Sequence, residues 1–127
     1  MTKLSVVIPC YNEEKNIYQL LDSYSHFIKD NTIEIILVNN GSTDNTSNLI
    51  KSLMSKYNFL KVIEIKKNKG YGNGILKGLS IAKGEYLGWT HADMQSDPYD
   101  IKRAYDLLLS NSYKSNIYLK GKRKGRN

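Results

Sequence analysis

Short apolar, β-branched runs alternate with amphipathic helical segments along this chain, and that order constrains the fold more than any single residue does. Leu4 to Ile8 reads as a buried strand stopped by Pro9. Asn12 then offers an N-cap, and Glu13 and Glu14 stand where acids favour a helix start. Ile17, Leu20, Leu21, Tyr24 and Ile28 follow at helical spacing, predicting one apolar face through about Lys29. The unit repeats with a strand over Ile33 to Val38, a polar loop from Asn39 to Asn45, and a helix whose face is Leu49, Ile50, Leu53, Met54 and Tyr57. It repeats again with a strand over Leu60 to Ile65, a loop over Lys66 to Gly72, and a glycine-punctuated helix with Ile75 to Ala82 at its centre. A fourth strand is expected over Glu85 to Thr90, after which Asp97-Pro98 supplies a cap and a first-turn proline for a helix carrying Ile101, Ala104, Tyr105 and Leu108. Ile117 to Leu119 would begin a further strand. Strands alternating with helices imply right-handed crossovers, hence an α/β fold with a mostly parallel open sheet and helices on both faces.

Composition narrows what such a sheet serves. The 127 residues suit a single domain, and no stretch approaches the ~20 apolar residues of a membrane helix. The amino terminus runs into strand-like sequence without a signal peptide, so the expectation is a soluble, cytoplasmic chain. The lone Cys10 has no partner for an internal disulfide and reads as a small buried thiol. The formal charge of +7 is unevenly spread: residues 120–126 hold five cations and no acid. Such a basic segment, 120–127, suits phosphates on nucleic acid, lipid headgroups or a diphosphate, its alternative being a solvated tail.

In open parallel sheets, ligands bind beyond the carboxyl ends of the strands, which directs attention to Pro9–Glu13, Asn39–Asn45, Lys66–Asn73 and His91–Pro98. Turn-forming preferences account for Asn, Asp, Ser and Gly in any one such loop, but less well for four polar loops converging on one edge. In Asn39 to Thr46 the amides can pair with a base edge, while Asp44 or Thr46 can cap the next helix. Lys69-Gly70-Tyr71-Gly72-Asn73-Gly74 follows the third strand and lacks G-x-G-x-x-G spacing, and no G-x-x-x-x-G-K-[ST] occurs. A hydride-transfer cofactor and a P-loop are thereby disfavoured.

Five stretches in order resemble the inverting glycosyltransferases of family 2, which have the Rossmann-like GT-A nucleotide-diphospho-sugar-binding fold. They are Val6 to Glu13, Val38 to Asp44, Lys69 to Gly72, Gly78 with Ala82-Lys83-Gly84, and Ala92 to Pro98. Ala-Asp-Met-Gln with its trailing Asp-Pro, together with Gly121-Lys122-Arg123, is most similar to the branch of dolichyl-phosphate mannose synthases, which glycosylate polyprenyl phosphates.

The resemblance implies that Pro9, Tyr11 and Glu13 line a nucleoside pocket, with Asn40 facing the base and Lys69 near the phosphates. Where the family usually carries two Asp, this chain has Asn39 and Asn40, and an amide both donates and accepts. The family's metal-holding Asp-x-Asp falls on His91 and Asp93, with Gln95 as a third contact, so the implied cofactor is a divalent cation, Mn²⁺ or Mg²⁺. Imidazole suits the softer metals, leaving His91 a ligand, a direct donor to phosphate, or a strand-end histidine satisfied by the backbone. Arg123 would meet the acceptor or a phosphate. The implied partners are a UDP- or GDP-sugar and a polyprenyl-phosphate or saccharide acceptor, with peripheral contact at the inner membrane face. The acceptor machinery is expected beyond residue 127, which makes residues 1–127 the donor-binding part of a longer catalytic domain. A nucleotide-sugar-binding module without catalysis is the alternative. A basic nucleic-acid binder is the weaker one, because no aromatic stacking platform accompanies the cations.

Overall fold

The computed structural model describes residues 1–94 and 96–110. Its elements run β1 (Leu4–Cys10), α1 (Ile17–Ser25), β2 (Ile33–Asn40), α2 (Thr46–Met54), β3 (Leu60–Ile65), α3 (Tyr71–Leu79), β4 (Tyr86–Trp89) and α4 (Tyr99–Ser110). The strands form one sheet in the order β3-β2-β1-β4, with every pairing parallel. The expected α/β class and open parallel sheet are therefore present. The expected strand at Ile117 to Leu119 and the basic segment 120–127 lie outside the described residues.

Alternate residues of the strands feed two cores. Val6, Ile8, Cys10, Ile35 and Leu37 face the larger one, where α1 contributes Ile17, Leu20, Leu21 and Tyr24, α2 contributes Ile50 and Leu53, and α4 contributes Ile101 and Tyr105. Val7, Ile36 and Val38 face the smaller one, against Leu79 of α3. That helix lies unusually close to the sheet because Gly78 has no side chain. A Cβ there would collide with both methyls of Val7.

The order of strands reverses direction at β1. From β1 the chain steps outward to β2 and β3, then returns to place β4 on the other side. α1, α2 and α4 cover one face and α3 the other, so the change of direction at β1 is a topological switch point beside that strand's carboxyl end.

Several boundaries depart from the sequence expectation, β2 running on to Asn40 and β4 shortening to Tyr86–Trp89 among them. β1 continues through Pro9 to Cys10. Lys3 and Val7 accept from the Tyr86 and Thr90 amides through their carbonyls, so odd-numbered residues of β1 turn their backbone toward β4. The missing N–H of Pro9 thus points past the last paired residue of that short strand, where no ladder bond is lost. The N-cap position of α1 is Asn16, without a side-chain cap bond, and not Asn12, and the helix ends at Ser25, with Ile28 buried just beyond it. α3 begins at Tyr71 and ends at Leu79, displaced toward the amino side of its expected centre.

Candidate functional site

Four loops follow the four strands, and side chains tie each to the next. Asn12 makes the first tie. Its Oδ1 accepts from the Thr43 amide at 2.7 Å and the Asp44 amide at 3.2 Å, while its own amide donates to Ser42 Oγ at 3.0 Å. These bonds explain why it does not cap α1: its side chain is committed to the loop after β2. The second tie is Asn40, whose Nδ2 donates to the Gly70 carbonyl at 3.1 Å. Gly41 adds a close approach, since a Cβ there would lie 2.7 Å from the Asn68 nitrogen. The third is an aromatic stack between Tyr71 and His91, with ring centroids 5.1 Å apart and planes 16° from parallel. It joins the start of α3 to the loop after β4.

Backbone strain collects along the same rim. Among the described residues the positive φ values belong to Asn12 at 53°, Gly41 at 72°, Gly70 at 99° and Met94 at 64°, one in each of the four loops. Glycine relieves two of them, whereas Asn12 and Met94 hold left-handed backbone with a side chain.

Within this rim the predicted residues take distinct positions. Pro9 and Asn40 lie on the α3 face of the sheet, where a Cβ on Gly74 would come 3.4 Å from Pro9 Cβ and 3.5 Å from Asn40 Nδ2. Asn40 is only 3% exposed, and its Oδ1 has no hydrogen-bond partner. Tyr11 is exposed at the head of the first loop. Glu13 is half-buried and accepts from Asn16 Nδ2 at 3.0 Å. Lys69 is exposed beside Gly70, and Asp93 is exposed two residues past His91. Gln95 and Arg123 lie outside the described residues.

Asn39 is separated from Asn40 by the sheet itself. It faces the larger core side, where its Nδ2 donates to Ser47 Oγ at 2.7 Å and Glu64 Oε2 at 2.9 Å. Nearby, burial pushes the Cys10 thiol up to about 12, with the charges of Glu13, Glu64 and Asp44 adding to the effect. A thiol held protonated in this way is a poor nucleophile, in keeping with a packing role.

At the second loop the N-cap position of α2 is Asn45, which makes no side-chain cap bond, and Asp44, just before it, supplies the oxygen. Its Oδ1 accepts from the Thr46 amide at 2.9 Å and the Thr46 hydroxyl at 2.5 Å, at the entry to α2. Asp97 does the same for α4, accepting from the Tyr99 amide at 3.0 Å. Two residues carry structure here that sequence reasoning assigned elsewhere or not at all: Asn12 as a clamp and Tyr71 as the partner of His91. For Tyr71 the available signal was an aromatic residue inside a glycine-rich loop. For Asn12 it was an Asn at a position that need not be helical.

As a donor set for a divalent cation, the rim offers the Asp93 carboxylate and the His91 imidazole. Among the described residues no three His, Cys, Asp or Glu side chains gather as a complete cage. One carboxylate and one imidazole fit a cation whose other ligands are phosphate oxygens, and not a self-sufficient protein site. No helix among the described residues is long and apolar enough to cross a membrane.

Comparison with known proteins places this rim in context. The sequence profile of Glycosyl transferase family 2 matches residues 5–126. The dolichol-phosphate mannosyltransferase of Pyrococcus furiosus is 32% identical over 110 residues, covering 87% of this chain and 31% of that protein. The crystal structure of Staphylococcus aureus TarS 1-349 with UDP-GlcNAc superposes with a TM-score of 0.74 at 30% identity, over 87% of this chain and 32% of the other. Glucosyl-3-phosphoglycerate synthase from Mycobacterium tuberculosis, solved with Mn²⁺, UDP and glucosyl-3-phosphoglycerate, gives 0.67 at 25% identity, over 86% and 40%. The chain spans about a third of the length of the curated relatives it matches.

Proposed function

The chain belongs to glycosyl transferase family 2, and from that premise we propose that the carboxyl end of its sheet binds a nucleoside-diphosphate sugar for transfer, with inversion, to a polyprenyl phosphate or saccharide. The observation that carries this reading is the rim itself: four strand-end loops bound to one another around a buried amide oxygen that has no partner in the protein. Buried acceptors without partners are rare and destabilising by about 1–3 kcal/mol, so a ligand donor is the economical explanation.

In this reading Pro9, Tyr11 and Glu13 line the nucleoside pocket and Asn40 meets the base. Its amide already donates to Gly70, so its carbonyl is the group left to accept from an imide or amide N–H of the base. Lys69 lies toward the diphosphate, and Arg123 toward a phosphate of the donor or acceptor. The chemistry a divalent cation supplies when held by Asp93 and His91, with Gln95 as third contact, is neutralisation of charge on the departing nucleoside diphosphate. The imidazole favours Mn²⁺ over Mg²⁺ at this site.

Transfer requires an acceptor oxygen to attack the anomeric carbon from the side opposite the diphosphate. An already ionised lipid phosphate needs no general base for that attack, whereas a sugar hydroxyl does. We assign residues 1–127 to donor binding and the acceptor side to sequence beyond them, a division supported by the third of the relatives' length that the chain spans. The basic segment 120–127 would then meet a lipid-phosphate acceptor or the anionic inner face of the membrane.

Calorimetric titration with UDP and GDP, with and without Mn²⁺, tests the donor site. Binding by the wild type at or below millimolar concentration, weakened by Asp93→Ala when Mn²⁺ is present, is the expected result. Absence of binding by either nucleotide, or equal binding by the variant, overturns the assignment.

A further inference from the structure

Tyr71 has so far appeared only as a tie between loops, yet its surroundings are more specific than that. Its ring lies against His91 nearly face to face, 5.1 Å between centroids and 16° from parallel. Its hydroxyl reaches to 3.5 Å from the Thr90 carbonyl, one residue before His91. One aromatic side chain thus borders Thr90 and His91 together.

The stack has a directional consequence. An imidazole's two nitrogens bond within the plane of the ring, while stacking engages only its face. A His91 ring laid parallel to the phenol therefore keeps both nitrogens for bonding and loses rotational freedom about its side chain. A free histidine would forfeit that freedom on meeting a ligand, so fixing it beforehand strengthens binding without adding a contact. Gly70 makes the placement possible: at φ 99° it turns the chain sharply into α3, with Tyr71 as the first helical residue.

We infer that Tyr71 is a positioning residue that holds the His91 imidazole edge-on to the donor diphosphate, so that the Tyr71–His91 pair stands in for a second carboxylate in this site. The inference rests on the donor site proposed above. It assigns the pair to the β-phosphate and its bound cation, and leaves the nucleoside to Pro9, Tyr11 and Asn40. Tyr71 itself needs no contact with the ligand.

The diphosphate increment measures this directly. Affinity for UDP and UMP, or for GDP and GMP if the wild type prefers guanine, is compared by calorimetry in the presence of Mn²⁺ for wild type, Tyr71→Phe and Tyr71→Ala. The ratio of diphosphate to monophosphate affinity should fall roughly three- to tenfold in Tyr71→Ala, the range expected for losing one aromatic pair. It should stay within about twofold in Tyr71→Phe, which keeps the ring. Should the alanine variant fail to fold, Tyr71→Leu keeps side-chain bulk without a ring, and the same fall in the ratio is expected of it. A readout independent of ligand is the NMR shift of the His91 ring protons, which should move downfield when the stacked phenol is removed.

Equal loss of diphosphate and monophosphate affinity would make Tyr71 a merely structural residue and overturn the inference. An unchanged ratio, or unchanged His91 ring shifts, would do the same. If the wild type binds neither UDP nor GDP, the donor site itself has failed, a result distinguishable from all of these.

Discussion

The two ends of the sheet follow different rules. At the amino end, the buried Glu34 is met on every side. Its Oε2 accepts from Ser5 Oγ at 2.5 Å and the Lys83 amide at 2.8 Å, and its Oε1 pairs with Lys61 Nζ at 2.7 Å. Ser5 in turn accepts from the Gly84 amide at 2.8 Å. This single network joins the starts of β1, β2 and β3 to the turn before β4. At the carboxyl end, Asn39 and Asn40 are as deeply buried, yet each leaves its Oδ1 without a partner. The Tyr24 and Tyr57 hydroxyls lack one elsewhere, but among the described residues only here does left-handed backbone accompany the lack. Satisfied polar burial stabilises a fold, whereas unsatisfied burial with strain persists where something other than folding requires it. The difference separates the end that holds the sheet together from the end proposed to bind the donor.

Glu34→Ala should have the largest effect. Removing one member of a buried ionic network destabilises by about 3–5 kcal/mol, so the urea midpoint should drop steeply. Nucleotide affinity of the molecules still folded should change less than twofold. A large loss of affinity at unchanged stability would erase the distinction between the ends.

The same carboxylate predicts an acid limb. Burial opposes its ionisation, but hydrogen bonds from Lys61, Ser5 and the Lys83 amide outweigh that opposition and hold its pKa below the ordinary 4.5. A depressed folded-state value means stability is present in full above the unfolded pKa and is lost as pH falls through the folded one. Denaturation midpoints should therefore decline below about pH 4.5, and Glu34→Gln should flatten that part of the decline. A wild-type midpoint that stays level to strongly acid pH would contradict the network.

At the other end the pattern should invert. Asp93→Ala, an exposed change, should alter stability by about 0.5 kcal/mol or less. It should weaken UDP binding in Mn²⁺ about tenfold, or ~1.4 kcal/mol. Asn40→Ala should show the smallest stability effect for a residue so deeply buried. It loses the Gly70 bond but also removes an oxygen that had no partner, leaving a net change of about 1 kcal/mol or less. Its affinity loss should be equal for UDP and UMP, since Asn40 is assigned to the base, and a preferential loss for the diphosphate would redraw the site.

The resemblance drawn from five ordered stretches is borne out by the family match, and the alternation of strands with helices carried the fold. Periodicity located β3 to the residue and found the buried face of α1 and, in Ile50 and Leu53, part of that of α2, where the expected Met54 is exposed, because hydrophobic spacing reports which side meets a core. It misplaced what depends on partners distant in sequence. Pro9 looked like a stop because a ladder without β4 beside it cannot be read from β1 alone. Asn39 and Asn40 looked like loop because they are polar, yet both are paired strand residues opposite Glu64 and Ile65. Asn12 looked like a cap, and its bonds to residues more than thirty positions away belong to the tertiary fold. The concentration of polar groups at the strand ends was legible in the sequence. Which loop binds which, and that Tyr71 covers His91, were not, since neither has a periodic signature.

Hydrogen–deuterium exchange with and without UDP and Mn²⁺ tests the central claim most directly. A concave groove also exists at the amino end, lined by Ser25, Lys29, Asp30, Lys56, Tyr57 and Phe59. It gives the experiment a real alternative. Ligand-dependent protection concentrated in residues 11–16, 41–45, 66–73 and 90–98, with residues 25–31 and 56–59 unchanged, is the result predicted for a donor site on the carboxyl rim. Protection confined to residues 25–31 and 56–59 would contradict it.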